Sequence, residues 1–307
     1  MKIAVLGAGA LGCYYGSRLV ETGNDVRFIM RSEYDYVKTH GLQVRSLHGD
    51  ISLPNVQVYR SPEEVGPVDL VIVAWKTTAN SHLKEALPPL MGPGTIVLTL
   101  QNGMGNAEAI AQVIPAKKIF VGLCFICTMR TDPGVISHLE GGNIQFAPFI
   151  PTPEGTAKAE ELAELFGKAP IPTRAFAEAE KIQWFKLVWN IPFNGMCLAK
   201  GGISVGELYK DPSNVERARR IMEEVVSAAK ARGYTLRDDL VDYHMQRTET
   251  MGGFTPSSAI DYNMGRPIEY EAIWGAPIAK AREAGASIPE WEQLDREIRE
   301  RLGMQPS

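Results

Sequence analysis

Lys186, Asn190 and Asn194 recur at four-residue spacing and would share one face of a helix. The residues around them are strongly apolar: Trp184, Phe185, Leu187, Val188, Trp189, Ile191 and Phe193. An ammonium and two amides in that company must find partners, because unpaired polar groups are costly to bury. A network to neighbouring helices would satisfy them, and so would a ligand; the spacing favours a functional site. Pro192 cannot donate to the carbonyl of Val188, which predicts a kink that leaves an acceptor free. Other candidates stand apart from this stripe. Lys76 follows the strand-like stretch 69–75, and Asn102 comes just past the strand-like stretch 95–100, with Gly103 next to it. Such strand ends face ligands in parallel sheets, although a lysine there can be solvated and Asn-Gly is a common turn. Glu269 opens a helix, where a carboxylate suits the dipole. Ser257 and Ser258 could hold a ligand or cap a helix.

The elements that must position these residues begin at the first dozen positions. Residues 3–6 are an unbroken apolar run, as a strand covered on both faces needs. Gly7-Ala8-Gly9-Ala10-Leu11-Gly12 follows in the spacing G-x-G-x-x-G, then a helical stretch at 13–22 and a second strand at 25–30. In that setting Gly7 makes the tight turn. Gly9 lets a pyrophosphate approach the backbone, and Gly12 lets the helix pack on the strand. The helix amides and dipole attract the phosphates. The second strand ends at Arg31-Ser32 with no acid at its tip. A planar guanidinium there can pair with a 2′-phosphate, which predicts NADPH/NADP+ over NADH, the alternative being a solvated arginine.

Further strands are expected at 69–75, 95–100, 118–128 and 171–176, with helices at 79–91, 107–113 and 152–168. Residues 34–60 read as irregular with strand pieces at 42–47 and 56–59. Residues 135–139 and 143–147 read as a hairpin across Glu140-Gly141-Gly142. From 177 the strand-like runs stop, and helical periods cover 178–199, 215–232, 237–250, 268–284 and 289–302. The expected fold is α/β, with an N-terminal Rossmann-type doubly wound sheet over 1–177 and an all-helical substrate and catalytic domain over 178–307.

Composition narrows the partners. With 32 Lys and Arg against 36 Asp and Glu the net charge is −4, so nothing points to nucleic acid or an anionic membrane. No apolar run approaches a membrane span, and the glycines at 7–12 interrupt what could pass for a signal peptide. Four scattered cysteines suggest a cytoplasmic home. Cys124 and Cys127 form a C-x-x-C, but no second pair completes a zinc site, and a buried strand would turn them to opposite faces. The five histidines show no ligand spacing, so no metal is expected.

Taken together, the glycine motif, Lys76, Gln101-Asn102-Gly103-Met104-Gly105, Trp184-Phe185-Lys186-Leu187 with Asn190 and Asn194, and Ser257 twelve residues before Glu269 resemble the ketopantoate reductase (2-dehydropantoate 2-reductase) family over essentially the whole chain. The resemblance implies NADPH-dependent reduction of a 2-oxo acid, ketopantoate to pantoate, on the route to pantothenate and coenzyme A. It implies Lys186 as general acid and Glu269 as a catalytic carboxylate that hydrogen-bonds substrate and cofactor groups. Asn190, Asn194 and Ser257 would hold the substrate hydroxyl and carboxylate. Asn102 would sit between nicotinamide and substrate, and Lys76 would help to place the cofactor. Three places depart from the family pattern, one of them Pro256-Ser257-Ser258-Ala259-Ile260-Asp261 where Ser-Ser-Met-x-Gln-Asp is usual. Ser204-Val205 precedes Gly206-Glu207-Leu208 where Asn or Thr is usual, and Trp274 stands where Asn is frequent. A bulky indole there would narrow or redirect the pocket. The competing readings are a reductase of another branched 2-oxo acid and a non-catalytic NADPH sensor. A monomer or homodimer is expected.

Overall fold

A computed structural model describes residues 1–305. Contacts divide the chain into two compact units. One holds residues 1–102 and 106–179; the other holds Gly103–Gly105 and residues 180 onward.

In the first unit, ten strands among the described residues form one mixed sheet. They are β1 (Lys2–Leu6), β2 (Asp25–Ile29), β3 (Leu42–Ser46), β4 (Ile51–Leu53), β5 (Gln57–Tyr59), β6 (Leu70–Val73), β7 (Ile96–Thr99), β8 (Ile119–Asp132), β9 (Val135–Pro148) and β10 (Thr173–Ala175). The order β5-β2-β1-β6-β7-β8 is parallel throughout, as the nearly continuous apolar strands require. β9 then pairs antiparallel with β8, and β3 and β10 join β9 in parallel. β4 closes that edge antiparallel to β3. The helices are α1 (Ala10–Glu21), α2 (Tyr34–His40), α3 (Pro62–Val65), α4 (Leu83–Ala86), α5 (Asn106–Ala111) and α6 (Pro153–Gly167). α1 packs on β1, β2, β8 and β9 and seals the core around Ile3, Val5, Tyr14, Tyr15 and Phe28, each wholly buried.

Three expectations are corrected here. Residues 135–147 are a single strand, not a hairpin, and the reversal lies before it at Pro133-Gly134. Gly141 and Gly142 are taken up as a bulge opposite Phe125 and Ile126, where a Cβ on Gly141 would lie 2.3 Å from the Phe125 carbonyl oxygen. The helix expected at 79–91 breaks into 3₁₀ turns at Thr77–His82 and Pro88–Leu90 around the short α4. Pro88 and Pro89 lack the donors to continue it. In the stretch 34–60 the expected strand pieces are found as β3 and β5, but α2 and β4 stand where irregular chain was expected.

The second unit is helical: α7 (Ala179–Ala199), α8 (Val205–Tyr209), α9 (Pro212–Ala231), α10 (Leu240–Glu249), α11 (Ser257–Asn263), α12 (Ala276–Glu283) and α13 (Pro289–Arg301), with a π-helical turn at Glu271–Gly275 leading into α12. Its core centres on Trp184, Trp274 and Trp291, all fully buried. No helix among the described residues is long and apolar enough to cross a membrane.

Candidate active site

In the sheet unit, the chain leaves β1 for β2 on one side and later enters β6 on the other. That reversal opens a crevice at the carboxyl ends of the strands, the place where nucleotides bind in such sheets. Gly7, at φ +95°, turns the chain there; a Cβ on it would sit 2.3 Å from the Trp75 amide nitrogen. A Cβ on Gly12 would sit 2.5 Å from the Gly7 carbonyl oxygen and 2.9 Å from Val5 Cγ1, so helix and strand touch through this glycine. Gly9 differs: nothing lies within 4 Å of where its Cβ would be. The tight glycines hold the turn, and the open one leaves space against bare backbone. α1 starts beyond Gly9 with no side-chain cap and no acid in its first turn, so its dipole is unopposed. These features fit a pyrophosphate.

The neighbouring strand ends carry Lys76 and Asn102, both half-buried. An amide network fixes the two loops. Asn80 Oδ1 accepts from Trp75 Nε1 at 3.1 Å and from Gln101 Nε2 at 2.7 Å. Asn80 Nδ2 donates to Asn106 Oδ1 at 3.0 Å, and Asn106 Nδ2 donates to the Asn102 carbonyl at 2.9 Å. Thr99 closes the chain by donating to Gln101 Oε1 at 3.0 Å. Beyond β2, Arg31 is exposed. Glu33 follows two residues later, and Arg130 of β8 holds it in a 3.0 Å salt bridge. The same guanidinium donates to the Ala8 carbonyl at 3.3 Å.

In the helical unit, α7 runs through Pro192. Asn190 and Asn194 are buried and Lys186 is half-buried. The stripe extends one turn back to Gln183, whose Nε2 donates to the Gly103 carbonyl at 2.9 Å. Gly103 is at φ +79°, with space for no side chain: a Cβ would lie 2.1 Å from the Ala272 carbonyl oxygen. Met104 N donates to that same oxygen at 2.8 Å. The turn after Asn102 is therefore held by α7 and by the segment that follows Glu269. Asn194 Oδ1 accepts from the Ser258 amide at 3.1 Å and from Ser257 Oγ at 3.4 Å, so it caps α11 from another helix and places Ser257. Glu269 is half-buried, and its carbonyl accepts from Ile273 N at 3.2 Å. Next to it, Tyr270 OH donates to Asp295, which anchors this end of the helix.

Two of the three departures from the family pattern turn out to be core residues. Val205 is wholly buried and its amide donates to the Phe254 carbonyl at 2.9 Å. Trp274 is also wholly buried, within the π turn, and its indole nitrogen donates to the Ile191 carbonyl at 3.1 Å. The indole thus serves the backbone beside Pro192, though at Ile191 rather than the expected Val188. Burial pushes the Cys13 and Cys197 thiols up to about 12, away from the reactive thiolate form. Among the described residues no group of three His, Cys, Asp or Glu could hold a metal ion.

Sequence reasoning missed Gln183, Asn80, Asn106, Glu33 and Arg130. Two of these carried a signal in the sequence: Gln183, three residues before Lys186 on the same helical face, and Glu33, about twenty residues beyond the glycine motif.

A parallel sheet with glycines clearing its switch point is the framework of dinucleotide-dependent oxidoreductases, and this chain is of that class. The family profile "Ketopantoate reductase PanE/ApbA" matches residues 3–151, and its C-terminal counterpart matches residues 178–301. A 2-dehydropantoate 2-reductase of Nostoc sp. is 37% identical over 94% of this chain and 91% of its own length. One of Halobacterium salinarum is 28% identical over 94% and 95%. A crystal structure of 2-dehydropantoate 2-reductase from Geobacter metallireducens superposes with a TM-score of 0.94 at 41% identity, covering 98% of this chain and 99% of that one. The chain belongs to the ketopantoate reductase family.

Proposed function

We propose that this chain catalyses the reaction for which these relatives are named, the NADPH-dependent reduction of 2-dehydropantoate to pantoate. The observation that carries the mechanism is the polar stripe Gln183, Lys186, Asn190 and Asn194 on a helix that is otherwise apolar from residue 182 onward. Gly7 to Gly12 would hold the pyrophosphate, with Arg31 toward the 2′-phosphate and Lys76 and Asn102 toward the rest of the cofactor. When bound, the reduced nicotinamide supplies a hydride to the keto carbon. The carbonyl oxygen then becomes an alkoxide, and Lys186 Nζ both stabilises that charge and delivers the proton that completes the alcohol. Glu269 accepts hydrogen bonds from substrate and cofactor groups. Asn190 and Ser257 orient the substrate hydroxyl and carboxylate, and Asn194 keeps Ser257 in place. The protein works as a cytoplasmic monomer or homodimer; its four cysteines are thiols, which suits a reducing compartment.

The test is NADPH oxidation followed by absorbance with ketopantoate and a panel of branched 2-oxo acids, for the wild type and Lys186→Ala. The variant should keep NADPH binding and lose about 10²–10⁴ in kcat. Preference for a different acid would move the substrate while keeping Lys186. A wild type that binds NADPH and reduces none of them would overturn catalysis in favour of sensing.

A further inference from the structure

Glu33 lies twenty-one residues beyond Gly12, about the distance at which an acidic residue binds the ribose hydroxyls in NAD-selective sheets. A bare carboxylate there would repel a 2′-phosphate. In this fold it is not bare. Arg130 Nε sits 3.0 Å from Glu33 Oε2, and Glu33 is only 13% exposed. The other end of the guanidinium reaches the carbonyl of Ala8, inside the glycine turn, at 3.3 Å. One side chain from β8 therefore fastens the residues after β2 to the phosphate-binding turn. The next acid, Asp35, is paired in the same way, with Arg60 at 2.6 Å. Each carboxylate close to Arg31 in sequence thus has a guanidinium partner other than Arg31.

We propose that Arg130 is a positioning residue for cofactor selectivity: by neutralising Glu33 at the glycine turn, it converts an acid suited to ribose hydroxyls into a site that accepts a 2′-phosphate. Arg31 makes the phosphate contact, and Arg130 removes the charge that would oppose it. The inference rests on the NADPH reading above.

The test is direct binding, with the dissociation constants of NADPH and NADH measured by fluorescence titration of the whole protein without substrate. The wild type should favour NADPH. Arg130→Met should lower the NADPH/NADH affinity ratio about tenfold: the lost hold on the Ala8 carbonyl acts on both cofactors alike, and only the 2′-phosphate feels the unmasked carboxylate. Adding Glu33→Gln to that variant should return the NADPH/NADH ratio to within about threefold of wild type. A structural role alone would weaken both cofactors together, and the second substitution would restore neither. Equal loss for both cofactors, or no recovery in the double variant, overturns the proposal. Should Arg130→Met fail to fold, Arg130→Gln decides, because it keeps a donor for the Ala8 carbonyl while removing the charge: the NADPH/NADH affinity ratio falls about tenfold if the proposal holds and is unchanged if it does not. A wild type that prefers NADH would instead overturn the NADPH reading itself.

Discussion

Asn194 reads in the sequence as a ligand group, and in the fold its side chain also serves a neighbouring helix. Its amide oxygen caps the first turn of α11 at Ser257 and Ser258. Asn194→Ala removes that cap and should cost about 1 kcal/mol. Asn194→Asp keeps an acceptor at the same place and should recover most of it, as thermal unfolding would record. Turnover should fall with Asn194→Ala mainly through KM, because Ser257 is the group displaced. Lys186 behaves differently, since its loss should appear in kcat with cofactor binding intact. Legibility at this scale followed the same division. The stripe at 186, 190 and 194 was visible because helical spacing is local. The partner of Asn194 was not, because Ser257 lies sixty-three residues away.

The turn Gly103–Gly105 and the π turn Glu271–Gly275 fit closely together. Gly103 has a left-handed backbone and its missing side chain makes room for the Ala272 carbonyl. Gly103→Ala would add strain at φ +79° and force that carbonyl away, at a cost on the order of 3 kcal/mol. The same shift would displace Asn102, so urea unfolding should show lost stability and steady-state assays a lower kcat/KM. Trp274 gives the contrasting case. Trp274→Phe leaves the Ile191 carbonyl without its donor and should cost about 1–3 kcal/mol. Its indole is core, so the ranking of 2-oxo acids should stay unchanged; a changed ranking would return Trp274 to the pocket wall. Sequence alone placed this indole in the pocket, because the spacing shows that a tryptophan sits on the helix but not which neighbours surround it.

Across the molecule, acid sensitivity should come first from buried histidines. His244 is 7% exposed between Phe185 and Tyr243, with no hydrogen-bond partner for Nε2 among the described residues. Burial pushes it from 6.5 down to about 4, and burial also lowers His138. The unfolded chain then takes up a proton at His244 that the fold refuses. Stability contributed by this site is constant above pH 6.5, falls as the pH drops toward 4, and loses up to about 3 kcal/mol in all. Urea unfolding at pH 7.5 and pH 5 should show the loss, and His244→Phe should flatten it. The parallel strands, the glycine turn, the change to helices near 177 and the lysine-and-amide stripe could all be read from the residues alone. Each is written in a pattern a few residues long, where backbone sterics and the burial of one face decide the outcome. Tertiary structure alone decided that β9 runs unbroken past Gly141 and Gly142, that Arg130 holds Glu33, that Gln183 holds Gly103, and that Trp274 and Val205 belong to the core. Those outcomes depend on which distant groups the packed chain brings within hydrogen-bonding or van der Waals reach, and no local spacing encodes that distance.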